Sequence, residues 1–365
     1  MLLYNCLHKR LCKRLCKRFP HFPLSKIMVT LKDVAQKAGV STATISRYIN
    51  KIGYISPEKQ QRIKKVIEEL DYKPNLMARS LRVKKRSKTI GFICPDIRDK
   101  FFGVISCKAE EVAQKNGYNI ILCNTKNNPE KEKMYIEVLK EKYIDGYILI
   151  PSKIEENEKY EILNDEKVVF VDRSSGLPDE ISILLDNEWS VNLGMEYLIG
   201  LGHKRIGAIN LPLNMTTGLE RFEGYRNSLI NYNIPIDEQL IKFSVSDLFP
   251  ENIYKDTLEL LTMKNRPTAI FPMNGPTTIV VLKAIKKLNL KIPDDISIIG
   301  FDEHSYAELL DPPLTTIAQP VSEFGTLGMK TLLKILKGKS IKDKQVKLKS
   351  QLIVRESCKE LVHSN

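Results

Sequence analysis

The stretch Thr30-Leu-Lys-Asp-Val-Ala-Gln-Lys-Ala-Gly-Val-Ser-Thr-Ala-Thr-Ile-Ser-Arg47 predicts two short helices joined by a tight turn. Thr30 and Asp33 have the spacing of a capping box, in which each side chain bonds the backbone of the other residue. Gly39 ends the first helix, and Ser41 caps the second. The second helix carries small and hydroxyl-bearing side chains, which suit a surface that lies closely against another molecule.

A third helix completes this region. Ser56 is an N-cap followed by a proline at the first helical position, and the helical pattern extends to about Leu70. Three short helices with a tight turn between the first two form the helix-turn-helix arrangement. The residues predicted to face its core are Leu31, Val34, Ala35, Ala38, Ile45, Ile49, Ile63, Val66, Ile67 and Leu70.

The net charge of +13 is concentrated at one end of the chain. Residues 1–28 hold seven Lys or Arg and no acidic residue, and residues 29–90 hold fifteen Lys or Arg against five Asp or Glu. These two segments carry +7 and +10, so the remaining residues carry −4. A basic head on a slightly acidic body indicates that only the head meets a polyanion.

Residues 1–28 contain a repeat in which an apolar residue falls at every fourth position between Lys-Arg pairs. The repeat fits a basic amphipathic helix on nucleic acid or on anionic lipid. A metal site is a second interpretation, although the spacing matches none of the usual zinc patterns. Its ligands would be His8, Cys12, Cys16 and His21. We favour a third interpretation, in which translation starts at Met28 and the segment is not part of the fold.

Composition and motifs argue against several classes of protein. No apolar run approaches the roughly 18 residues of a membrane span, and the seven cysteines follow no extracellular pattern, so we expect a cytoplasmic protein with reduced thiols. The chain has no P-loop and no Gly-x-Ser-x-Gly elbow, and Gly200-Leu-Gly202 precedes a predicted strand instead of following one. We therefore expect no catalysis, no cofactor and no bound metal. Two further classes of protein remain as alternative interpretations of the chain: a sugar-acid enzyme and a sugar-binding protein that does not bind DNA.

The chain is predicted to continue from this head, residues 29–74, through a linker, residues 75–88, into a body of residues 89–357. The start of the linker fits a helix too short to be stable alone, so it would need DNA or a second copy of itself. In the body, short apolar runs alternate with helical patterns, which is the signature of βαβ units and parallel sheets. Eight such runs, with further pairing after Val346, favour two Rossmann-like lobes. The runs are residues 89–94, 119–123, 146–150, 168–172, 181–186, 205–209, 268–271 and 296–301.

The head sequence closely resembles that of the lactose-repressor (LacI) family of bacterial transcription regulators. The resemblance extends in order from about Met28 to about Ser357. The further matching motifs are Ser56-Pro-Glu58, Glu69-Leu-Asp-Tyr-Lys-Pro-Asn75, Ala78-Arg-Ser-Leu81, Ile90-Gly-Phe-Ile-Cys-Pro-Asp-Ile97, Asp145-Gly-Tyr-Ile148, Val171-Asp-Arg173, Gly202-His-Lys-Arg-Ile206, Arg221-Phe-Glu-Gly-Tyr225, Asp295-Ile-Ser-Ile-Ile-Gly-Phe-Asp302 and Pro313-Leu-Thr-Thr-Ile-Ala-Gln-Pro320.

The resemblance implies a homodimer on a near-palindromic operator, with each second helix in a major groove and paired linker helices in the minor groove between them. Thr42 and Ala43 would approach base edges, and Arg47 would reach a guanine or a phosphate. Leu81 matches the leucine wedge of the family, which opens the central base step and bends the DNA. The complete set of expected DNA contacts is Thr30, Ser41, Thr42, Ala43, Thr44, Ser46, Arg47, Asn50, Tyr72, Asn75, Ala78, Arg79 and Leu81.

The body resembles periplasmic sugar-binding proteins, which implies a small effector between the two lobes that shifts the linker helices between order and disorder. Arg221 is the expected clamp for an anion or a hydroxyl, because its planar fork gives bidentate contacts. The segment after Arg355 is too short for a tetramerising coiled coil, so we expect a dimer. The matching effector positions are Asp96, Phe101, Phe102, Arg173, Asp186, Asn187, Arg221, Asn274 and Asp302.

Two departures from the family pattern bear on the effector. Asn274-Gly275 stands where the family usually carries Asn-Asp, and Arg98-Asp-Lys-Phe-Phe102 replaces the usual Ser-Asn-Pro-Phe-Phe. A pocket that loses a carboxylate and gains cations suits an anionic ligand. Together with Ser46-Arg-Tyr-Ile-Asn50 and Asp186-Asn-Glu-Trp189, these changes resemble the ketodeoxygluconate-responsive repressors of pectin and hexuronate use. We therefore expect a sugar acid as effector.

Overall fold

The computed structural model describes residues 29–50, 52–72, 87–152, 160, 162–243 and 250–361. The chain divides into two units, Met1–Lys85 and Arg86–Asn365, and this boundary falls inside the predicted linker 75–88. Four expected DNA contacts lie outside the described residues, as does the basic segment 1–28. They are Asn75, Ala78, Arg79 and Leu81.

In its described part, the first unit contains three helices, α1 (Leu31–Ala38), α2 (Thr42–Asn50) and α3 (Pro57–Glu69). The predicted capping box of α1 is present, and Gly39 ends the helix with a left-handed φ of 63°. Ser56 precedes α3 as predicted, but its side chain makes no cap hydrogen bond. The apolar faces of the helices meet in one core, which contains Val34, Ala35, Ala38, Ile45, Ile63, Val66 and Tyr72.

The second unit contains two parallel-dominated sheets, which form two lobes. The first-lobe sheet has the order β11-β5-β4-β3-β1-β2, and all its strands are parallel. Its elements are β1 (Thr89–Cys94), α4 (Lys100–Lys115), β2 (Asn119–Asn124), α5 (Pro129–Glu141), β3 (Gly146–Leu149), β4 (Val168–Asp172), β5 (Ser182–Leu185), α10 (Val321–Leu336) and β11 (Gln345–Leu348).

The second-lobe sheet has the order β12-β10-β9-β8-β6-β7, with β12 antiparallel to β10 and the other pairs parallel. Its elements are α6 (Asn187–Gly200), β6 (Ile206–Asn210), α7 (Thr216–Asn231), β7 (Ile241–Phe243), α8 (Pro250–Thr262), β8 (Ala269–Pro272), α9 (Gly275–Lys287), β9 (Ser297–Phe301), β10 (Thr315–Ala318) and β12 (Gln351–Ile353). All eight predicted strands are present, within one or two residues of their predicted ends. Strands β11 and β12 lie in the region from about Val346 onward, where further pairing was predicted, whereas the predictions missed β7 and β10.

The chain crosses between the lobes three times, from β5 to α6, from β10 to α10 and from β11 to β12. The first and third crossings are joined by hydrogen bonds, from Asp186 N to Leu348 O at 2.8 Å and between Ser190 Oγ and Ser350 Oγ at 2.8 Å. All three crossings begin at the carboxyl end of a strand. The two sheets therefore present to each other the edges at which open α/β folds bind ligands.

The linker enters the second unit at the first lobe. Asp145, just before β3, accepts hydrogen bonds at Oδ1 from Ser87 N at 2.7 Å and Ser87 Oγ at 2.9 Å. Its other oxygen, Oδ2, accepts from Lys88 N at 3.2 Å. One carboxylate thus fixes the backbone of residues 87–88 to the first lobe.

Helices α4 and α10 pack against each other in the first lobe, and Gly325 is their point of close approach. A Cβ atom at this position would overlap the carbonyl oxygen of Ile105 in α4. We expect Gly325→Ala to lower the free energy of unfolding by about 1–3 kcal/mol, the usual effect of overpacking a core, in urea titrations followed by circular dichroism.

Gly103→Ala is the matched control, because this glycine lies within α4 and an added Cβ would approach only Ile97 O, at 3.7 Å. Alanine stabilises a helix relative to glycine, so this variant should be as stable as the native chain or more stable. Equal stability of the two variants would show that Gly325 does not set the distance between these helices.

Candidate DNA-binding surface and ligand cleft

Helix α2 presents an exposed polar face above a buried apolar one. Thr42, Ala43 and Arg47 are exposed, whereas Ile45 beneath them is fully buried in the core of the first unit. The hydroxyl of Ser41 accepts a hydrogen bond from Thr44 N at 3.1 Å and lies 2.9 Å from Thr44 Oγ1. Ser41 and Thr44 thus bond each other at the start of the helix, and Thr42, Ala43 and Arg47 remain exposed.

The other expected DNA contacts within the described residues lie in different surroundings. Thr30 is exposed, and its hydroxyl donates to Asp33 Oδ2 at 2.7 Å within the capping box. Ser46 is half-buried, and Asn50 is the last residue of α2. The ring of Tyr72 packs in the core of the first unit against the three helices, and its expected DNA contact stays a prediction.

A cleft lies between the two lobes at the carboxyl ends of their strands. It is lined by six of the expected effector positions, namely Phe101, Phe102, Arg173, Arg221, Asn274 and Asp302. Six further residues that were not in the expected set also line it: Asp99, Asp172, Leu211, Thr217, Pro276 and Gln319. The lobes touch beside the cleft, where Ser174 N donates to Thr216 Oγ1 at 3.2 Å.

Three expected effector positions do not line the cleft, and each has another role. Asp96 forms an ion pair with the exposed guanidinium of Arg98, at 2.6 Å, in the loop after β1. Asp186 caps α6 by accepting a hydrogen bond from the backbone nitrogen of Trp189 at 3.2 Å. Asn187 lies behind Arg221 and supports it. Arg98, one of the nearby cations noted in the sequence, pairs with Asp96 and does not line the cleft.

Arg221 extends from α7 and is fixed by three neighbours. Its Nε donates to Asn187 Oδ1 at 2.8 Å, and one terminal nitrogen donates to Met273 O at 2.5 Å. The guanidinium lies 3.9 Å above the ring of Phe301, within the range of a cation–π interaction. Burial lowers the pKa of Arg221, and the carboxylates of Asp302 and Asp172 oppose that effect. The group remains a cation because arginine does not deprotonate in proteins.

Arg173, on the first lobe, has a buried donor, Nε, that makes no hydrogen bond. A terminal nitrogen donates to Asn127 Oδ1 at 2.8 Å and to Pro151 O at 3.0 Å, which fixes the side chain against two loops. Its Nε is buried without a hydrogen-bond acceptor and lies 3.6 Å from Asp172 Oδ2. Thr217 Oγ1 and Gln319 Oε1 on the second lobe are also buried and unpaired. Buried polar atoms are nearly always hydrogen-bonded, so this group indicates a ligand that supplies the missing partners.

Two aspartates at strand ends face the cleft from opposite lobes. Asp172 and Asp302 both have left-handed φ angles, of 66° and 71°, which sharp turns at strand ends impose and which aspartate tolerates better than most residues. Asp302 accepts hydrogen bonds from Gly275 N at 3.0 Å and from Gln319 Nε2 at 2.6 Å. Burial raises the pKa of Asp172 to about 6, although Arg173 and Arg221 act in the opposite direction.

Neither a metal site nor a membrane span is found in the part of the chain that the structure describes. No group of three or more His, Cys, Asp or Glu side chains there could hold a metal ion. No helix among those residues is long and apolar enough to cross a membrane.

Comparison with known proteins agrees with this architecture. Residues 30–75 match the family described as bacterial regulatory proteins, lacI family, and residues 195–358 match the periplasmic binding protein-like domain. The chain is 33% identical over 336 residues to the HTH-type transcriptional repressor PurR of Histophilus somni (strain 129Pt), covering 92% of this chain and 100% of that protein. The chain belongs to the LacI family.

Other LacI-family members extend the comparison. The probable HTH-type transcriptional regulator EndR of Paenibacillus polymyxa is 38% identical over 317 residues, which cover 84% of this chain and 90% of that protein. The crystal structure of the Lac repressor dimer bound to operator and the anti-inducer ONPF is 25% identical, with a TM-score of 0.75, over 91% of this chain and 99% of that one. The predicted LacI-like fold is confirmed. The chain is a DNA-binding transcriptional repressor with a ligand-binding domain, not an enzyme.

The raised pKa of Asp172 makes stability depend on pH. An acid whose folded-state pKa is raised stabilises the fold at low pH, and this contribution is lost as the pH rises through the folded pKa, here about 6. Asp172→Asn removes the buried charge, and asparagine also tolerates the left-handed backbone. We expect this variant to raise the unfolding midpoint at pH 7.5 by roughly 2–8 °C, and the gain to shrink as the pH is lowered from 6 towards 4.

Asp179→Asn is the matched control for this measurement by differential scanning calorimetry. Asp179 also has a left-handed φ, of 60°, but it is exposed and pairs with Lys344 at 2.6 Å, which lowers its pKa. This variant should give no gain at pH 7.5. A lower midpoint for Asp172→Asn at pH 7.5 would mean that the ionised carboxylate stabilises the cleft.

Proposed function

We propose that the chain is a homodimeric repressor of the bacterial cytoplasm, which binds a near-palindromic operator and is controlled by a sugar acid in the cleft between its lobes. Family membership establishes repression and ligand binding in general terms. The proposal adds the class of ligand and the residues that bind each partner.

For DNA, the supporting observation is the exposed face of α2 over the buried Ile45. Thr42 and Ala43 leave room for base edges near the start of the helix, and Arg47 reaches further with a charged, bidentate group. Ser41, Thr44 and Ser46, together with Thr30, contact phosphates and fix the register. The charge of +10 on residues 29–90 supplies affinity that is independent of sequence.

For the ligand, the observation that carries the proposal is Arg173 Nε, which is buried beside Asp172 without a hydrogen bond, in the same cleft as Arg221. Two buried guanidinium groups favour a carboxylate, which accepts from planar donors. The unpaired oxygens of Thr217 and Gln319 and the carboxylates of the cleft suit several hydroxyl groups. The edge-to-face rings of Phe101 and Phe102, 5.2 Å apart, add an apolar wall of the kind that packs against a sugar ring. A ketodeoxygluconate-type acid combines these features.

A neutral oligosaccharide is the second candidate. Three aspartates line the cleft against two arginines, which favours hydroxyl groups over a formal anion. A solved relative with a TM-score of 0.68 and 25% identity is titled as a transcriptional regulator CelR–cellobiose complex. Asp172 weakens this argument, because its raised pKa places it partly in the neutral form near pH 6.

Isothermal titration separates these candidates. We expect ketodeoxygluconate or a hexuronate to bind the full chain, and glucose, ribose, cellobiose and purine bases to give no heat of binding. Arg221→Lys should weaken acid binding at least tenfold, since lysine cannot make the bidentate contact. Arg98→Ala should leave binding unchanged, because Arg98 pairs with Asp96 outside the cleft. Tight binding of a neutral sugar or a purine base would refute the acid as effector.

Gel-shift titration with duplexes from the chain's own upstream region checks the DNA surface. Arg47→Ala should lower affinity by roughly 5- to 150-fold, the effect of losing about 1–3 kcal/mol of contact energy. Arg226→Ala removes the same charge from an exposed side chain of the second unit and should leave affinity unchanged. Equal losses of affinity in the two variants would show that Arg47 contributes only its positive charge and no specific contact.

A further inference from the structure

Gly275 begins α9 at the edge of the cleft, and its lack of a side chain has a steric reason. Its φ angle is not left-handed, so no turn at this position requires glycine. A Cβ atom here would overlap His304 Nε2 and lie 3.0 Å from Asp302 Oδ2. The imidazole of His304, from the loop after β9, thus occupies the space that a side chain at residue 275 would need.

His304 has an unsatisfied polar atom. Its Nε2 is buried and has no hydrogen-bond partner. The ring stacks on Tyr306 with centroids 4.9 Å apart and an interplanar angle of 10°, and the Tyr306 hydroxyl is likewise buried and unpaired. Stacking fixes the ring plane, so the unpaired nitrogen has a defined position. Buried polar atoms without partners are few in native proteins, and each calls for an explanation.

The groups around His304 come from both lobes. Asp302 and Glu303 precede it in the second lobe, and Lys100 of the first lobe also acts on it electrostatically. Burial lowers the pKa of His304, which favours the neutral imidazole with one donor and one acceptor. Asp302, which lines the cleft, hydrogen-bonds both Gly275 N and Gln319 Nε2. His304 therefore adjoins a corner of the cleft that contains several unpaired polar atoms.

We propose that His304 selects the ligand by forming a hydrogen bond with one of its hydroxyl or carboxylate oxygens at this corner of the cleft. Gly275 leaves the space that the imidazole occupies. The inference rests on the proposed function, in which the cleft holds a small hydroxylated acid. An aspartate at residue 275, as is usual in the family, would repel an anionic ligand. A neutral imidazole in the same space carries no negative charge and therefore favours such a ligand. Gly275 and His304 act as a pair, since a side chain at residue 275 displaces the ring.

Titration calorimetry on the full chain, with ketodeoxygluconate and galacturonate as probes, tests the contact. His304→Ala should weaken the binding of the acid about 5- to 20-fold, the effect of losing one hydrogen bond to a buried group. His304→Gln, which keeps a donor and an acceptor, should restore part of that loss. Tyr306→Phe keeps the stacking ring, so affinity should change less than in His304→Ala.

A double-mutant cycle tests the pairing. Gly275→Ala should weaken acid binding and lower the unfolding midpoint in the native background, but should have little further effect when His304 is already alanine. Gly200→Ala is the control, because that glycine also lies in a helix and an added Cβ would meet nothing within 4 Å.

The outcomes separate this inference from the function on which it rests. Unchanged acid affinity in His304→Ala, with affinity lost in Arg221→Lys, would refute the role of His304 and leave the sugar-acid cleft standing. Failure of the native chain to bind either acid would refute both. Additive effects of Gly275→Ala and His304→Ala on the unfolding midpoint would refute the steric pairing.

Discussion

The buried guanidinium of Arg221 is the interaction around which the cleft is organised. It joins three elements of the second lobe: α7, which carries it; the first residue of α6, Asn187; and the end of β8 through Met273 O. The carboxylates of Asp172 and Asp302, at the ends of strands in opposite lobes, oppose the effect of burial on this group and favour its charged form. The raised pKa of Asp172 has a different cause, its own burial, which Arg173 and Arg221 only partly offset.

The sequence predicted features that arise from local or periodic patterns. The capping box at Thr30, the αL glycine at Gly39 and the eight strands are of this kind, because each is set by residues close in the chain. Strand β7 was missed because its three residues contain no buried apolar run, and β10 was missed because its apolar run is only two residues long, Ile317 and Ala318. Short edge strands depend on neighbours that only the folded sheet provides.

The ligand-binding residues were predicted less completely, for an electrostatic and a steric reason. Asp96 and Arg98 looked like pocket residues, yet two opposite charges so close in an exposed loop pair with each other. The proximity of Gly275 and His304 depends on how β8 and β9 lie side by side, which no local pattern encodes. The argument for an anionic ligand therefore rests on the buried arginines and not on the loop cations. Low solvent exposure strengthens the electrostatic interactions of each buried charge.

The three crossings of the chain between the lobes determine when each lobe can be completed during synthesis. Neither lobe is a continuous piece of polypeptide: the first takes α10 and β11 from late in the sequence, and the second ends with β12. Both sheets consequently lack an edge strand until residues 345–353 have been synthesised. A stop codon between residues 337 and 345 would remove an edge strand from each lobe at once, so neither lobe of this repressor is complete without this one late segment.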